Sequence, residues 1–223
     1  VVGYDSATQV HNRAKELGFC DSVANTPSEA VKDAELVLIA VPVGATADAV
    51  KSIAPHLRQG AILTEVGSVK AAVIRQVLAV LPEGAIFVPG HPIAGTEHSG
   101  PDAGFAELFD GRWAILTPCE RSNEQAVEKV AKLWRGLGSA VETMTPEHHD
   151  IVLAITSHIP HLIAFNIVGT AADVEEVTQS EVIKFSAGGF RDFTRIAASD
   201  PVMWRDVFLN NKEAVLEMLG RFS

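Results

Sequence analysis

Short apolar segments alternate with stretches of helical periodicity through the first 145 residues, and this alternation constrains the fold more than any other feature of the chain. The segment Leu36 to Val41 is apolar at every position, as expected for a strand that is covered on both faces. Further strands are predicted at 61–66, 86–88, 114–116 and 140–144, and helices at 9–17, 46–57, 69–81 and 124–137. Strand and helix in alternation predict an α/β fold with a doubly wound (Rossmann-type) parallel sheet.

The strand pattern stops after Met144, and the rest of the chain has helical character. Thr145 is a good helix N-cap, and Pro146 suits the first helical position. We therefore predict an α/β domain over residues 1–145 and an all-helical domain over residues 146–223.

The first strand of the chain, Val1 to Gly3, leads directly to Asp5 and has the character of the end of a buried strand. We expect about 25–35 further residues upstream, which is enough for one strand, a glycine-rich turn and a helix of ordinary length. On this interpretation the α/β domain as given is incomplete at its N-terminus, because that strand and turn precede Val1.

The balance of charges argues against one broad class of function. With 28 acidic and 18 basic residues the net charge is −10, whereas a nucleic-acid partner requires a basic surface. The two cysteines, Cys20 and Cys119, form no metal-binding or disulfide pattern, and no apolar run approaches the length of about 18 residues that a membrane span requires. We expect a cytoplasmic protein with no metal site, no membrane contact and no nucleic-acid partner.

Ligands of doubly wound sheets bind at the carboxyl ends of the strands, so the residues that follow each strand are candidates for a site. Asp5 could accept hydrogen bonds from adenosine ribose hydroxyls, or it could form a turn or cap a helix. The next residues, Ser6 and Ala7, supply no arginine for a 2′-phosphate, which favours NAD over NADP. Val41 and Pro42 offer a flat apolar surface for a nucleotide ring, or they only end the strand.

Two further segments follow predicted strands. Ser68 opens a helix, where its hydroxyl could cap the helix, face the cleft, or do both. The ten residues from His91 to Gly100 include two histidines, a glutamate, two hydroxyls and two glycines. A histidine at the carboxyl end of a strand, fixed by Pro92, suits an acid–base group near neutral pH, although a lone histidine is more often structural.

In the helical part, His158 and His161 lie three residues apart and therefore share one helix face. Together with residues 148–150 they make a metal site conceivable, but the spacing matches no zinc motif and a polar lining of a cleft is favoured. Arg191 and Arg195 lie four residues apart and could bind a carboxylate, or they could form a solvated surface pair.

Taken together, these segments resemble the prephenate/arogenate (cyclohexadienyl) dehydrogenases. The matching stretches are Gly67 to Lys70, His91 to Gly100, Ser157 to His161, and Gly188 to Arg195 followed by Asp200-Pro201 and Trp204-Arg205. They occur in the family's order, close to its spacings, over nearly the whole chain. Any one of these motifs is weak, whereas four in register are hard to obtain by chance.

The resemblance implies a mechanism. His91 corresponds to the histidine that deprotonates the ring hydroxyl of the substrate while the same ring carbon gives a hydride to the nicotinamide. Ser68 corresponds to a serine that contacts both that hydroxyl and the nicotinamide. The implied cofactor is NAD, contacted in part by Asp5, Val41 and Pro42 and by Ser68.

Five residues are implied in substrate binding. Arg195 is similar to the arginine that holds the ring carboxylate, His161 to a second histidine of the cleft, and Glu97 to an acidic residue that gates the pocket mouth. Arg191 lies where the family has a basic residue facing the substrate's side chain. Trp204 fits a tryptophan that closes the cleft from the helical domain.

The implied activity is the NAD-dependent oxidative decarboxylation of prephenate or arogenate to 4-hydroxyphenylpyruvate or tyrosine, in tyrosine biosynthesis, by a homodimer formed through the helical domain. One alternative is another two-domain NAD(P)-dependent hydroxyacid dehydrogenase or imine reductase, such as a pyrroline-carboxylate reductase. Another is a non-catalytic nucleotide-binding module. The sequence also leaves open which of the two substrates is preferred and whether tyrosine inhibits the enzyme.

Overall fold

The computed structural model describes residues 1–96, 98–178 and 181–223. The strands are β1 (Val2–Gly3), β2 (Ser22–Val23), β3 (Leu36–Ile39), β4 (Ile62–Glu65), β5 (Ile86–Phe87), β6 (Gly90–Pro92), β7 (Trp113–Leu116) and β8 (Ala140–Thr143). The helices are α1 (Thr8–Leu17), α2 (Pro27–Val31), α3 (Thr46–Ile53), α4 (Ala71–Leu78), α5 (Glu124–Gly136), α6 (Pro146–Leu153), α7 (Ile159–Thr178), α8 (Glu181–Lys184), α9 (Gly188–Thr194), α10 (Pro201–Asn210) and α11 (Lys212–Phe222). Shorter 3-10 turns lie at Val43–Ala45, Ala54–His56, Pro101–Ala103 and Arg195–Ala198, and a π-helical turn at Ala154–His158.

The strands of the first part are mainly parallel. β3, β4 and β5 pair in parallel in that order, and α3 and α4 are among the elements that connect them. β1 pairs in parallel with β2, and β7 with β8. Parallel strands joined by helices are the doubly wound arrangement that the alternation predicts, so the predicted fold class is confirmed.

One detail of the predicted sheet is wrong. His91 follows β5 as predicted, but it also lies inside a further short strand, β6, which runs antiparallel to β7 with His91 opposite Ile115. The reason is that β5 ends at Phe87 and the chain continues into a separate strand that bonds to its neighbour on β7. The Thr117 N–H, for example, donates to the Pro89 carbonyl at 3.0 Å.

Three other differences concern elements near the N-terminus. The two-residue β2 and the five-residue α2 are too short to show a periodic pattern, and α2 is fixed locally by Thr26, which accepts the Glu29 N–H at 3.2 Å. β3 is buried through Val37 and Ile39, but Leu38 is 46% exposed. The expectation that β3 is covered on both faces is therefore wrong, because the face that carries Leu38 is partly exposed.

Packing between strands and helices fixes where the strands end. Leu63 of β4 is fully buried against Val50 of α3 and Val73 of α4. A second cluster packs Trp134 of α5 against Leu116 of β7. Each large apolar side chain buried in this way contributes roughly 1.5–3 kcal/mol, so the strand ends that carry polar residues rest on a rigid base.

The helical part begins as predicted. Thr145 caps α6 by accepting the His148 N–H at 3.2 Å, and Pro146 occupies the first turn. α6, the π-helical turn and most of α7 form one continuous run, Pro146–Val174, that is long and apolar enough by length and composition to cross a membrane. Core helices of soluble proteins meet the same criterion, so the evidence for a membrane span is weak. Only 28% of its most apolar window is buried within this chain.

The two parts pack together closely at α10. Trp204 and Val207 of this helix are buried in the same apolar cluster as Val43, which lies in a 3-10 turn of the α/β part. A Cβ atom at Gly44 would fall well inside van der Waals distance of Asp206 Oδ2, so the Asp206 side chain on α10 would have to move to admit a larger residue. This contact brings the carboxyl ends of the strands next to the helical part.

Candidate active site

A chain of buried polar side chains crosses the junction between the α/β part and the helical part. Its members are Glu65, Lys70, His91, His149, Asp150, His158 and Asn211, each less than 9% exposed. Buried polar groups need hydrogen-bond partners, so the contacts within this chain indicate what each group is able to do.

Asp150 caps helix α4 from the other side of the junction. The helix begins at Ala71, and its own N-cap residue, Lys70, supplies no capping side chain. Asp150 accepts the N–H of Lys70 at 2.8 Å and that of Ala71 at 2.9 Å. The interpretation in which Ser68 caps this helix is therefore wrong, because the first N–H groups already have a carboxylate, which the helix dipole also favours.

His91 and His149 are joined by a hydrogen bond whose direction can be assigned. His149 Nδ1 lies 2.8 Å from Asp150 Oδ1, and His149 Nε2 lies 2.8 Å from His91 Nδ1. A carboxylate only accepts, so Nδ1 of His149 carries the hydrogen and Nε2 of neutral His149 is an acceptor. His91 then donates from Nδ1 and keeps Nε2 as its basic nitrogen, a tautomer inferred from the hydrogen-bond network.

The surroundings keep this pair of histidines neutral. Burial first, and then the electrostatic effects of His149, Lys70 and His158, hold the pKa of His91 well below 6.5. Burial also lowers the pKa of His149, although the hydrogen bond to Asp150 acts in the opposite direction. At neutral pH His91 is therefore a free base that is able to accept a proton.

The two histidines predicted to share a helix face both contact Trp204. His161 stacks on the indole with ring centroids 3.6 Å apart, and His158 meets it edge to face at 6.1 Å. His158 is fully buried with Nδ1 3.0 Å from Asn211 Nδ2, and burial is the main cause that lowers the pKa of His158 to about 4. Within the described residues the buried Nε1–H of Trp204 has no hydrogen-bond partner.

Several residues that the sequence predicts for the site lie around this junction. The backbone of Ser68 is close enough to His158 to raise the pKa of that ring, against the larger effect of burial. Burial lowers the pKa of His161, and the positive charge of the nearby Arg195 lowers it further. These electrostatic effects place Ser68 close to His158 and Arg195 close to His161.

Two other predicted residues have no described contact with the buried chain of polar side chains. Arg191 is exposed on α9, with Nε 3.5 Å from Ser186 Oγ. Glu97 lies outside the described residues. Among the residues that are described, no group of three or more histidine, cysteine or acidic side chains is arranged to hold a metal ion.

The predicted cofactor-binding residues follow strands and are exposed. Asp5 comes after β1, and its Oδ1 accepts the Ala7 N–H at 2.8 Å just before α1. Val41 and Pro42 come after β3, and the Pro42 carbonyl accepts the Ala45 N–H at 2.8 Å. Both positions therefore have a local structural role and remain accessible to a ligand.

Sequence reasoning did not predict the role of five members of the buried chain: Glu65, Lys70, His149, Asp150 and Asn211. Glu65 gave a signal, because it is a charged residue in the apolar segment 61–66, where a carboxylate requires a buried partner. Lys70, five residues later, supplies that partner. His149 and Asp150 were considered only as metal ligands, although an Asp next to a His in the first turns of a helix also suits hydrogen bonding across a junction.

A doubly wound α/β part followed by a helical part, with a basic histidine at their junction, defines the class of two-domain nicotinamide-dependent dehydrogenases. Residues 1–143 match the family model described as prephenate dehydrogenase, nucleotide-binding domain, and residues 145–223 match that of prephenate dehydrogenase, dimerization domain. The chain belongs to the prephenate dehydrogenase family, as its motifs predict.

Individual relatives support the same family. The chain is 43% identical over 219 residues to a cyclohexadienyl dehydrogenase of Zymomonas mobilis, a match that covers 98% of this chain and 74% of that protein. It is 38% identical over 218 residues to a prephenate dehydrogenase of Bacillus subtilis, covering 97% of this chain and 58% of that one.

Solved structures agree. The crystal structure of prephenate dehydrogenase from A. aeolicus in complex with hydroxyphenyl propionate and NAD+ superposes with a TM-score of 0.90 at 36% identity, over 99% of this chain and 77% of that one. A 3-hydroxyisobutyrate dehydrogenase of Mycobacterium tuberculosis superposes with a TM-score of 0.61 at 12% identity, which shows a shared fold alone.

Proposed function

We propose that this protein catalyses the NAD-dependent oxidative decarboxylation of prephenate, arogenate or both, a reaction of tyrosine biosynthesis, with His91 as the proton acceptor. The observation that carries this proposal is the fixed tautomer of His91. Its Nδ1–H is held by His149 and Asp150, which leaves Nε2 as a neutral base at the junction of the two parts. Family membership supplies the substrate class.

The proposed chemistry uses one proton acceptor. His91 takes the proton of the ring hydroxyl at Nε2, and the charge that develops is stabilised through His149 by the carboxylate of Asp150. When bound, NAD accepts the hydride that leaves the carbon bearing that hydroxyl. The ring carboxylate then departs as carbon dioxide, its bonding electron pair stays in the ring, and the ring becomes aromatic.

Residues near the junction are proposed to orient the substrate. Arg195 lies near His161 and would hold the ring carboxylate. A guanidinium suits this role because it forms bidentate hydrogen bonds with a carboxylate. Trp204 stacks on His161, and its buried Nε1–H has no partner among the described residues, so this side chain could close the cleft and donate to the substrate. Ser68, adjacent to His158, would contact the substrate hydroxyl; Arg191 stays a proposed contact to the side chain.

The residues present fit the adenosine half of NAD. Asp5 is exposed after β1, and one of its oxygens already bonds Ala7, which orients the carboxylate. The residue between them, Ser6, carries no positive charge for a 2′-phosphate. Val41 and Pro42 provide exposed apolar surface after β3. We therefore propose NAD rather than NADP as the cofactor.

A homodimer formed through residues 146–223, in the cytoplasm, completes the proposal. In the run Pro146–Val174 only 28% of the most apolar window is buried, and Ile155, Ile167 and Val168 are at least 38% exposed. A helix that is apolar on an exposed face needs a partner surface, which a second copy would provide. We expect Ile167→Asp to shift the protein from dimer to monomer in light scattering coupled to size-exclusion chromatography; a wild-type monomer would contradict the proposal.

The direct test is NAD reduction by the full-length protein, followed at the nicotinamide absorbance, with prephenate and arogenate compared side by side and NADP as the alternative cofactor. We expect reduction of NAD with at least one substrate. No reduction with either would overturn the proposal, and it would favour the non-catalytic alternative.

Two variants test the assigned roles. His91→Asn should lower kcat at least about 10²-fold with little change in NAD affinity, as loss of a general base requires. His56→Asn, on an exposed turn, is the matched control and should behave as wild type. Arg195→Gln should mainly raise the KM of the substrate through loss of a charge-assisted contact, and an unchanged KM would place the carboxylate elsewhere.

A further inference from the structure

Lys70 and Glu65 form a fully buried ion pair that the proposed chemistry does not use. Their side chains are 0% and 1% exposed. The Lys70 ammonium donates to Glu65 Oε1 and, at 2.6 Å, to the Gly90 carbonyl. Removing two charges from water is costly, so a buried pair of this kind is weak evidence for a role in stability alone.

The same pair bonds the peptide groups that precede Ser68 and His91. Glu65 Oε2 accepts the Gly67 N–H at 2.8 Å, and Glu65 Oε1 accepts the Gly90 N–H at 3.3 Å. A Cβ atom at Gly67 would lie 2.8 Å from Glu65 Oε2, so the backbone approaches the carboxylate as closely as glycine allows. One ion pair therefore ties together the two backbone segments that carry the proposed catalytic side chains.

We propose that Lys70 and Glu65 are positioning residues that fix Ser68 and His91 relative to each other and set the charge around His91. The proposal rests on the proposed function for the roles of Ser68 and His91. Because a misplacement of about 1 Å can cost about 10²-fold in rate, a bond network that holds both segments has a direct effect on turnover.

The charges of Lys70 and Glu65 are predicted to shift the pKa of the His91–His149 pair in opposite directions. Lys70, His149 and His158 are the charged or titratable groups that lower the pKa of His91 beyond the effect of burial. Glu65 and Asp150 act on the neighbouring His149 and raise its pKa. Removing the lysine charge should therefore raise the pKa of the histidine pair, and removing the glutamate charge should lower it.

The test is the pH dependence of kcat/KM for Lys70→Met and Glu65→Gln. We expect kcat to fall by about 10- to 10²-fold in both with a small change in the KM for NAD, since the pair acts on geometry. The decline of kcat/KM in acid solution, the acid limb of the pH profile, should move to higher pH in Lys70→Met and not in Glu65→Gln. Lys129→Met, which removes the exposed partner of Glu35 on α5, is the matched control and should leave both parameters unchanged.

Two results would overturn the proposal: wild-type kcat in both variants, or an acid limb displaced to higher pH in both. If Lys70→Met does not fold, Lys70→Arg decides, since it keeps the charge but not the fit. A lower kcat with the wild-type acid limb supports the proposal, and a displaced limb contradicts it.

A second measurement separates this proposal from the proposed function. Nitrogen-15 NMR of the histidine rings in full-length protein reports the titration of His91 without any substrate. We expect His91 to titrate at higher pH in Lys70→Met than in wild type. If wild type reduces NAD with neither substrate, the proposed function fails while this titration still tests Lys70; an unchanged titration overturns the role of Lys70 even in an active enzyme.

Discussion

Replacing Asp150 with alanine should damage stability and turnover together, because one carboxylate serves both. It accepts the N–H groups of Lys70 and Ala71 at the start of α4, and it accepts Nδ1–H of His149. Alanine leaves all three donors without this acceptor in a region that water does not readily reach, since Asp150 is 5% exposed.

The size of the stability loss follows from these contacts. Loss of an N-cap costs about 1 kcal/mol on average, and a buried donor left without a partner costs about 1–3 kcal/mol. With two backbone donors of α4 affected, we expect Asp150→Ala to lower the free energy of unfolding by roughly 3 kcal/mol. For a chain of this size that corresponds to a fall of about 6–12 °C in the melting temperature.

The matched control is Asn123→Ala, which removes the N-cap of α5. Asn123 accepts the Ala126 N–H at 2.9 Å on the surface of the α/β part, away from the junction. It should cost about 1 kcal/mol and leave kcat unchanged. Asp150→Ala should in addition lower kcat by about 10²-fold or more, because His149 loses the acceptor that fixes its tautomer and that of His91.

The assay pairs denaturant unfolding with steady-state kinetics at a temperature at which both variants are fully folded. A loss of stability no larger than that of Asn123→Ala would refute the argument that Asp150 caps α4 across the junction. A wild-type kcat in folded Asp150→Ala would refute the argument that it controls the tautomer of His91.

Three further predictions use other features of the structure. Because the pKa of His91 is held well below 6.5, kcat/KM should be flat near neutral pH and decline only in more acid solution, and an acid limb at or above pH 6.5 would contradict this. Since the pKa of His158 is about 4 in the folded protein, the unfolded chain binds the extra proton, so the free energy of unfolding should fall by up to about 3 kcal/mol between pH 6.5 and 4. Denaturation of His158→Gln should show a shallower pH dependence, and an equal slope would refute the assignment. Gly44→Ala directs a Cβ atom at Asp206 and should lower the free energy of unfolding by roughly 1–3 kcal/mol in thermal unfolding. The control Gly136→Ala, which has open space around the new Cβ atom, should change it by less than about 1 kcal/mol. Similar losses in the two variants would contradict the close approach of α10.

The fold could be predicted from the sequence wherever burial of one face gives the apolar residues a regular spacing along the chain. β4 and α5 were both predicted to within a few residues, because Leu63 and Trp134 belong to patterns that only a buried strand or a one-sided helix satisfies. Strand β6 was not predicted, because its three residues are too few to show a periodic pattern. His91 was correctly expected after β5, but it lies within this further strand, which runs antiparallel to β7.

The site was predictable only in part for a different reason. His91 and His161 were recognised because they stand in motifs, but the cap of α4 comes from Asp150, 80 residues away from Lys70 in sequence. Contacts at that separation leave no local pattern. Ser68 was a plausible cap from its position alone, and it was displaced by a carboxylate that the fold brings from another domain.

The shared use of Asp150 limits how the two parts can move. His91 is a defined base only while α6 lies against α4, because the same carboxylate caps α4 and fixes His149. A hinge that opened this junction to admit substrate would break the cap and release the tautomer at each turnover. We therefore expect the junction to stay closed during catalysis, with α6 held against α4 by Asp150 throughout the reaction.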